Sequence, residues 1–467
     1  MRVIVLLADG ARPDTLRDAL DSGELPAIER MRREGAMHEL TSVFPSVTGP
    51  AYAPMLMGRF PGPVGLPGLR WHDRSHTASR FPDYSRSYVG YQMGEVDGDL
   101  DPAAPTIFEL VHDSTAALSV ITRGLPKHRQ LLRLDLRSAF RAITTHFRGD
   151  VARWLEVDRD ISRAVIAHAT DDPARFLFAA FPGVDKTSHA DGHAGPRPRQ
   201  ALRIVDDTVA ALREHLETQG EWKDTWLWVT SDHGHSSVER HEDLAQVVED
   251  AGFRVLAHPK VLRRRPTAAV MVSGNAMAHV YCHLDRRERP FGAGLGANEQ
   301  RLAAALVERE SVDLLLVPMD RDRCAVRSRR GDAVVRGRAG RFGYERGTGD
   351  PLGIGHDLSW VTPDEAYDAT RDTDYPDSIV QVASMTASPR AGDLILSAAR
   401  GWDLRARFEP IPHRSAHGAL HREHMLVPFV TNRPLARAPR RTTDLMPTAL
   451  AALGHRIPPG LDGQSAL

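Results

Sequence analysis

Three short, continuously apolar runs, each closing on a turn that carries a carboxylate, constrain this chain more than any other feature. Arg2–Ala8 runs into Asp9 in RVIVLLAD, RFLFAAFP leads to Asp185 and His189, and Trp226–Thr230 leads to Asp232-His233 in VTSDHGH. Runs this short, apolar at nearly every position, read as strands buried on both faces. A fourth run, Leu426–Val430, follows His417 in SAHGALHREHMLVPFV. Helical stretches lie between them: Asp14 to Glu34, broken by Gly23 and Pro26, and Asp444–Leu453 near the C-terminus. This alternation predicts a three-layer α/β/α fold around a mainly parallel sheet, with helices on both faces. Open sheets of this kind hold ligands just past the carboxyl ends of their strands, where Asp9, Asp185, Asp232 and His233 stand.

The chain has 467 residues, 42% of them hydrophobic and 26% charged, enough for a large buried core. A formal net charge of -1 argues against binding to a nucleic-acid duplex. The two cysteines, Cys282 and Cys324, read as free thiols. Val3–Ala8 is shorter than the ~7–15-residue apolar core of a signal peptide, and no run approaches the about 20 residues of a membrane helix. The expectation is a soluble cytoplasmic protein. Residues 1–254 and 401–467 are expected to form one catalytic domain, and 255–400, rich in Arg and Gly, a cap lobe inserted into it. Residues 124–160 read as a basic amphipathic helical region, packed on the domain or lying against a membrane surface.

Asp9, Asp185, His189, Asp232, His233 and His417 offer the carboxylate oxygens and imidazole nitrogens that two zinc-like cations require. Asp185 and His189 have the i, i+4 spacing that turns two side chains of a helix toward one ion. Asp232-His233 converge if a turn follows the strand, and Gly234 would permit it. Asp191 and His193 compete for the same role. Thr48, in VFPSVTGP, reads as a helix N-cap ahead of Gly49-Pro50. The same hydroxyl is a nucleophile if a metal lowers its pKa. His235, His241, His413, His421, His424 and Glu423 crowd these motifs as supporting residues.

Taken in order, VLLADGARPD, VFPSVTGPAYAPMLMGRFPGPVG, GVDKTSHADGHAGP, VTSDHGH, SAHGALHREHMLVPF, TTDLMPTALAALG and GLDGQSAL resemble the alkaline phosphatase superfamily. The likeness is greatest to its type I phosphodiesterase/nucleotide pyrophosphatase branch. The resemblance implies that Asp185, His189 and His417 hold one zinc. It implies that Asp9, Asp232 and His233 hold a second zinc, together with Thr48, with manganese as an alternative metal. It further implies a small phosphorylated substrate and a phospho-threonine intermediate hydrolysed by water.

Two departures stand out. The branch carries Phe-Pro-Asn-His after its threonine, where this chain has Gly49-Pro50-Ala51-Tyr52. The branch's phosphate-binding Asn falls near GLPGLRWHD, which contains none, and Arg70 is the forked cation available there. These departures bear on nucleotide specificity, while Thr48, rather than Ser, leans toward phosphoric diesters as the first expectation. A phosphonoacetate-type C–P hydrolase or a phosphomonoesterase is the alternative, and a metal-dependent phosphomutase represents a different class. A sulfatase is disfavoured, because no Cys/Ser-x-Pro-x-Arg motif occurs.

Overall fold

A computed structural model of the chain describes residues 1–74, 85–87, 94–132, 151–257, 265–289, 291–405 and 413–467. Its main sheet has seven strands, ordered Ala36–Thr41, Leu426–Thr431, Thr225–Thr230, Arg2–Ala8, Phe176–Phe181, Ser114–Ala117 and Gln130–Leu131. Pairing is parallel from Thr225–Thr230 through to Gln130–Leu131. Leu426–Thr431 runs antiparallel to both its neighbours, so its first residue lies at the edge where the parallel strands end.

The central strands are apolar at every turn of the pleat because both faces are covered. Val3, Val5, Leu7, Phe176 and Phe178 belong to one core, and Ile4, Leu6, Ala8, Leu177 and Ala179 to another. Four helices cover the second of these faces: Pro13–Asp21, Pro26–Glu34, Arg153–Asp171 and Pro196–Thr218. The first two divide the expected 14–34 stretch at Gly23, whose φ is +78°, and Pro26 opens the second. The other face differs from expectation. Helices Ala53–Met57 and Leu445–Ala452 cover only part of it, and Leu256, Ala269, Met271 and Tyr281 of a second sheet complete the layer.

That second sheet has nine strands, all drawn from Val255 to Ala398. Every pairing in it is antiparallel except that of Val255–Ala257 with Ala268–Ser273. It shares a core with the loop around Thr48: Val43, Phe44, Ala51 and Phe60 pack among Leu314, Ile379 and Met385. The expected helical region 124–160 is not helical at its start. Lys127–Arg129 is a 3-10 turn, and Gln130–Leu131 continues as an edge strand against Ala116–Ala117, whose open backbone edge it satisfies. Residues 133–150, which carry most of that basic stretch, lie outside the described residues. Helix Arg153–Asp171 then buries Leu155, Ile161 and Val165. Among the described residues, no helix is long and apolar enough to cross a membrane. Cys282 and Cys324 are free and buried.

Candidate active site

The register of the three central strands brings the ligand candidates together. Ala8 pairs with Phe181, and Leu7 with Thr230, so Asp9, the Pro182 turn and Ser231 leave the sheet at one level. Helix Gly183–Asp191 begins directly after that turn, with Asp185 in its first turn and His189 one turn on. Ser236–His241 then forms a three-stranded sheet with Gly401–Asp403 and Ser415–Ala416, which carries His417 back beside His235.

Two groups of donors result. Asp9, Asp232 and His233 form one, Asp185, His189 and His417 the other, and within each the ligating atoms lie within 4.8 Å of one another. Asp185, His233 and His235 form an overlapping third group, so the two sites adjoin. The His233 and His417 rings stack at 3.8 Å and 5° across the junction. Thr48 Oγ1 sits 3.3 Å from both Asp9 oxygens and 3.3 Å from His233 Nε2.

The protonation pattern suits cations. A carbonyl oxygen only accepts, so the Nδ1–H groups donate: His189 to Ser415 at 2.9 Å, His417 to Ser46 at 3.0 Å and His233 to Gly234 at 3.1 Å. Each Nε2 is left with its lone pair facing a carboxylate: 3.2 Å from Asp185 Oδ1 for His189, 3.4 Å for His417, and 3.3 Å from Asp9 Oδ1 for His233. This is the tautomer that metal-binding histidines adopt. Asp232 Oδ2 is buried without a hydrogen-bond partner, a cost that a bound cation would remove. Burial, and then the charges of Asp232 and Asp185, push the Asp9 carboxyl well up, and burial also raises Asp232. Burial pushes His417 well down, so it stays neutral. Buried carboxylates that face imidazole nitrogens fit bound metal cations.

Supporting contacts are equally specific. His235 lies behind Asp185, its Nε2–H donating to Oδ1 at 3.0 Å, and burial lowers its pKa to about 3. Gly10 donates to Asp232 Oδ1 at 3.3 Å, and a Cβ there would stand 2.7 Å from His235 Nε2. Gly234 follows the pair as expected, without a left-handed conformation. Glycine is required because a Cβ would collide with the Glu423 carbonyl. Gln381, on helix Ser378–Ala387 of the second sheet's lobe, brackets the loop that leads to Thr48. Its Oε1 accepts from Phe44 N at 2.8 Å, and its Nε2 donates to the Ser42 carbonyl at 3.1 Å and to Asp377 at 2.8 Å. Ser42 Oγ in turn donates to the carbonyl of Asp232. Arg441 clamps Asp377 with bonds of 2.8 and 2.6 Å.

Several expectations fare differently. Thr48 is not a helix cap: Gly49, at φ 95°, precedes a three-residue 3-10 turn, and the Thr48 hydroxyl turns to Asp9 and His233 instead. Asp191 is not in either group, since Arg197 holds both its oxygens at 2.7 Å. His193 stands in the fields of Arg12 and Asp14, and burial lowers its pKa. Arg70 makes a contact of its own. It is buried, and its guanidinium donates to the Val272 carbonyl at 2.9 Å beside a small cavity that Asp243 and Arg405 also line. His413 packs 4.5 Å from the His189 ring; His424 Nδ1 accepts from the Ala419 amide at 3.0 Å, so its Nε2–H donates to Ser236 Oγ at 2.8 Å.

Two residues escaped the sequence reading. Lys186 places its ammonium 2.6 Å from Asp185 Oδ2. Burial tends to raise Asp185, yet Lys186 and His189 hold its carboxyl well below the usual range. The signal was present, because a lysine directly follows a ligand aspartate in GVDKTSH. Gln381 had no signal, as nothing local in an amphipathic helix marks one glutamine for a contact 337 residues away.

Residues 3–420 match the family described as type I phosphodiesterase / nucleotide pyrophosphatase. The chain belongs to this family. A search of curated protein sequences returns no match. Among solved structures, human ectonucleotide pyrophosphatase / phosphodiesterase 5 superposes with TM-score 0.59 at 14% identity, covering 99% of this chain and 97% of that one. The phosphonoacetate hydrolase of Sinorhizobium meliloti in complex with phosphonoacetate gives 0.58 at 16%, covering 97% and 96%. An inactive variant of the murine ectonucleotide enzyme in complex with AMP gives 0.56 at 16%, covering 98% and 96%. At these identities the likeness establishes a shared alkaline-phosphatase-like fold.

Proposed function

We propose that this family member is a two-metal hydrolase of phosphoric diesters and related phospho compounds, acting through a phospho-threonine at Thr48. One observation carries the reading: the Thr48 hydroxyl lies 3.3 Å from Asp9 and from His233 Nε2, in a cluster whose Asp232 Oδ2 has no hydrogen-bond partner. Asp9, Asp232 and His233 would hold one ion, and Asp185, His189 and His417 the other. The mixture of imidazole and carboxylate suits zinc, with manganese tolerated. Bound there, the ions would lower the pKa of the hydroxyl and stabilise the attacking and leaving oxygens.

The residues of the chain do the rest. Thr48 is half-buried beside the buried Asp9, Asp232 and His233, so its hydroxyl can meet substrate. Thr48 Oγ attacks phosphorus in line, the P–O bond to the leaving group breaks, and that oxygen departs with the electron pair. Water then cleaves the Oγ–P bond and restores the hydroxyl. That a murine relative complexed with AMP is described as an inactive Thr-to-Ala variant supports the choice of nucleophile.

The test compares turnover of bis-p-nitrophenyl phosphate and p-nitrophenyl phosphate by purified protein of known metal content, alongside Thr48→Ala. The expected outcome is a diester preference, about two ions per chain, and loss of turnover in the variant by roughly 10⁴-fold or more with the ions retained. A monoester preference points to a phosphomonoesterase. A fully metallated protein that turns over neither points to C–P hydrolysis, and an active Thr48→Ala ends the nucleophile assignment.

A further inference from the structure

We propose that Asp158 is a positioning residue for the Asp185–His189–His417 group, fixing from an outer helix the start of the helix that carries Asp185 and His189. The proposal rests on that group holding an ion. Asp158 is fully buried on helix Arg153–Asp171. It falls in the stripe that this helix turns inward, whose other members are Leu155, Ile161, Val165 and Ala169. An apolar residue suits such a position, because a buried carboxylate loses its hydration and must regain it in hydrogen bonds. Asp158 regains little. Oδ1 accepts from Gly183 N at 3.0 Å, and Oδ2 has no hydrogen-bond partner among the described residues. Core packing therefore does not account for this carboxylate, and its one bond points to the role.

Gly183 is the first residue of helix Gly183–Asp191. The first amides of a helix have no partner within it, and Pro182, at the N-cap, makes no side-chain cap. Asp158 supplies the missing acceptor from 25 residues away. It is also a stop. A Cβ on Gly183 would collide with Asp158 Oδ2, so the helix start is seated against the carboxylate as closely as glycine allows. The other end of the helix is held separately: Arg414 N donates to the His189 carbonyl at 2.7 Å, and Ser415 Oγ to the Ser188 carbonyl at 2.7 Å. With both ends held, the helix can neither slide nor tilt, and Asp185 and His189 keep their common direction. Asp9, Asp232 and His233 leave other strands, so the contact bears on one group of the two.

The experiment titrates cobalt(II) into the metal-free full-length protein and follows visible absorption, with His189→Ala marking which ion belongs to the Asp185 group. Asp158→Ala is expected to weaken that ion about ten- to a hundredfold and the other by less than about threefold. Asp158→Asn keeps an acceptor for Gly183 N and should restore the affinity to within about threefold of wild type. Gly183→Ala should weaken the same ion, and the double variant should be no worse than Asp158→Ala, because the collision is gone. Equal weakening of both ions, unchanged affinity in Asp158→Ala, or no recovery in Asp158→Asn overturns the proposal. Gly183→Ala carries the test should Asp158→Ala not fold, and unchanged affinity there overturns it as well. Urea unfolding of the metal-free variants is the control for a merely structural role: affinities that fall only in step with stability overturn the positioning role. A wild type from which His189→Ala removes no ion overturns the reading of the metal group itself, and the proposal with it.

Discussion

The two large sheets divide the work unequally. Every carboxylate of the candidate metal groups leaves the carboxyl edge of the seven-stranded sheet, from strands paired in register. The nine-stranded sheet supplies no member of either group. Its lobe contributes holding contacts instead: Gln381 under Phe44, the Val272 carbonyl for Arg70, and Gly274, where a Cβ would come within 2.8 Å of His417 Nδ1. The contrast follows from topology. Parallel strands end side by side, so residues just beyond them converge without long-range help. The antiparallel lobe reaches the same place through individual side chains and through one turn, Gly274 to Ala276, whose carbonyl and amide bond the backbone of His417 at 3.0 Å each.

If this division holds, damage on the two sides should differ in kind. The largest effect is expected from Asp185→Ala, which removes a donor at the carboxyl edge of the seven-stranded sheet: one of the two proposed ions should dialyse away and turnover fall by roughly a thousandfold or more. Metal analysis after dialysis checks it, and full retention of both ions would break the comparison at its first side. Gln381→Leu should come next. It leaves Phe44 N and the Ser42 carbonyl without partners, and a slight displacement of the Thr48 loop costs about ten- to a hundredfold in kcat. KM and metal content should stay near wild type. Loss of metal from this variant would mean that the second lobe holds the ions rather than the nucleophile. Arg70→Ala should be the smallest in activity. Loss of its buried bond to Val272 is expected to cost about 1–3 kcal/mol in a denaturation series, with KM shifted by less than about twofold. A large rise in KM at unchanged stability would return Arg70 to the substrate.

Much of the fold was legible because it is local. Arg2–Ala8, Phe176–Phe181 and Thr225–Thr230 announce themselves by unbroken apolar composition, and Asp185 and His189 by helical spacing on Gly183–Asp191. The start of the 124–160 stretch misled, since its Leu and basic residues suit a helix as well as a two-residue edge strand. Only pairing with Ala116–Ala117 chose the strand. Thr48 misled in a smaller way. Its sequence suits a cap, but the turn that follows is capped by Gly49, and the hydroxyl has a carboxylate to meet.

By itself, then, the sequence determined which side chains are available for the chemistry, because Asp9, Asp185, Asp232 and His233 are each tied to the end of a strand that composition alone defines. Only the tertiary structure decided which atoms face one another. Lys186 turns to the second oxygen of Asp185, Arg70 donates to the Val272 carbonyl, and Gln381 reaches Phe44. The direction of a side chain is set by what packs around it, and those neighbours come from segments that no local spacing can connect.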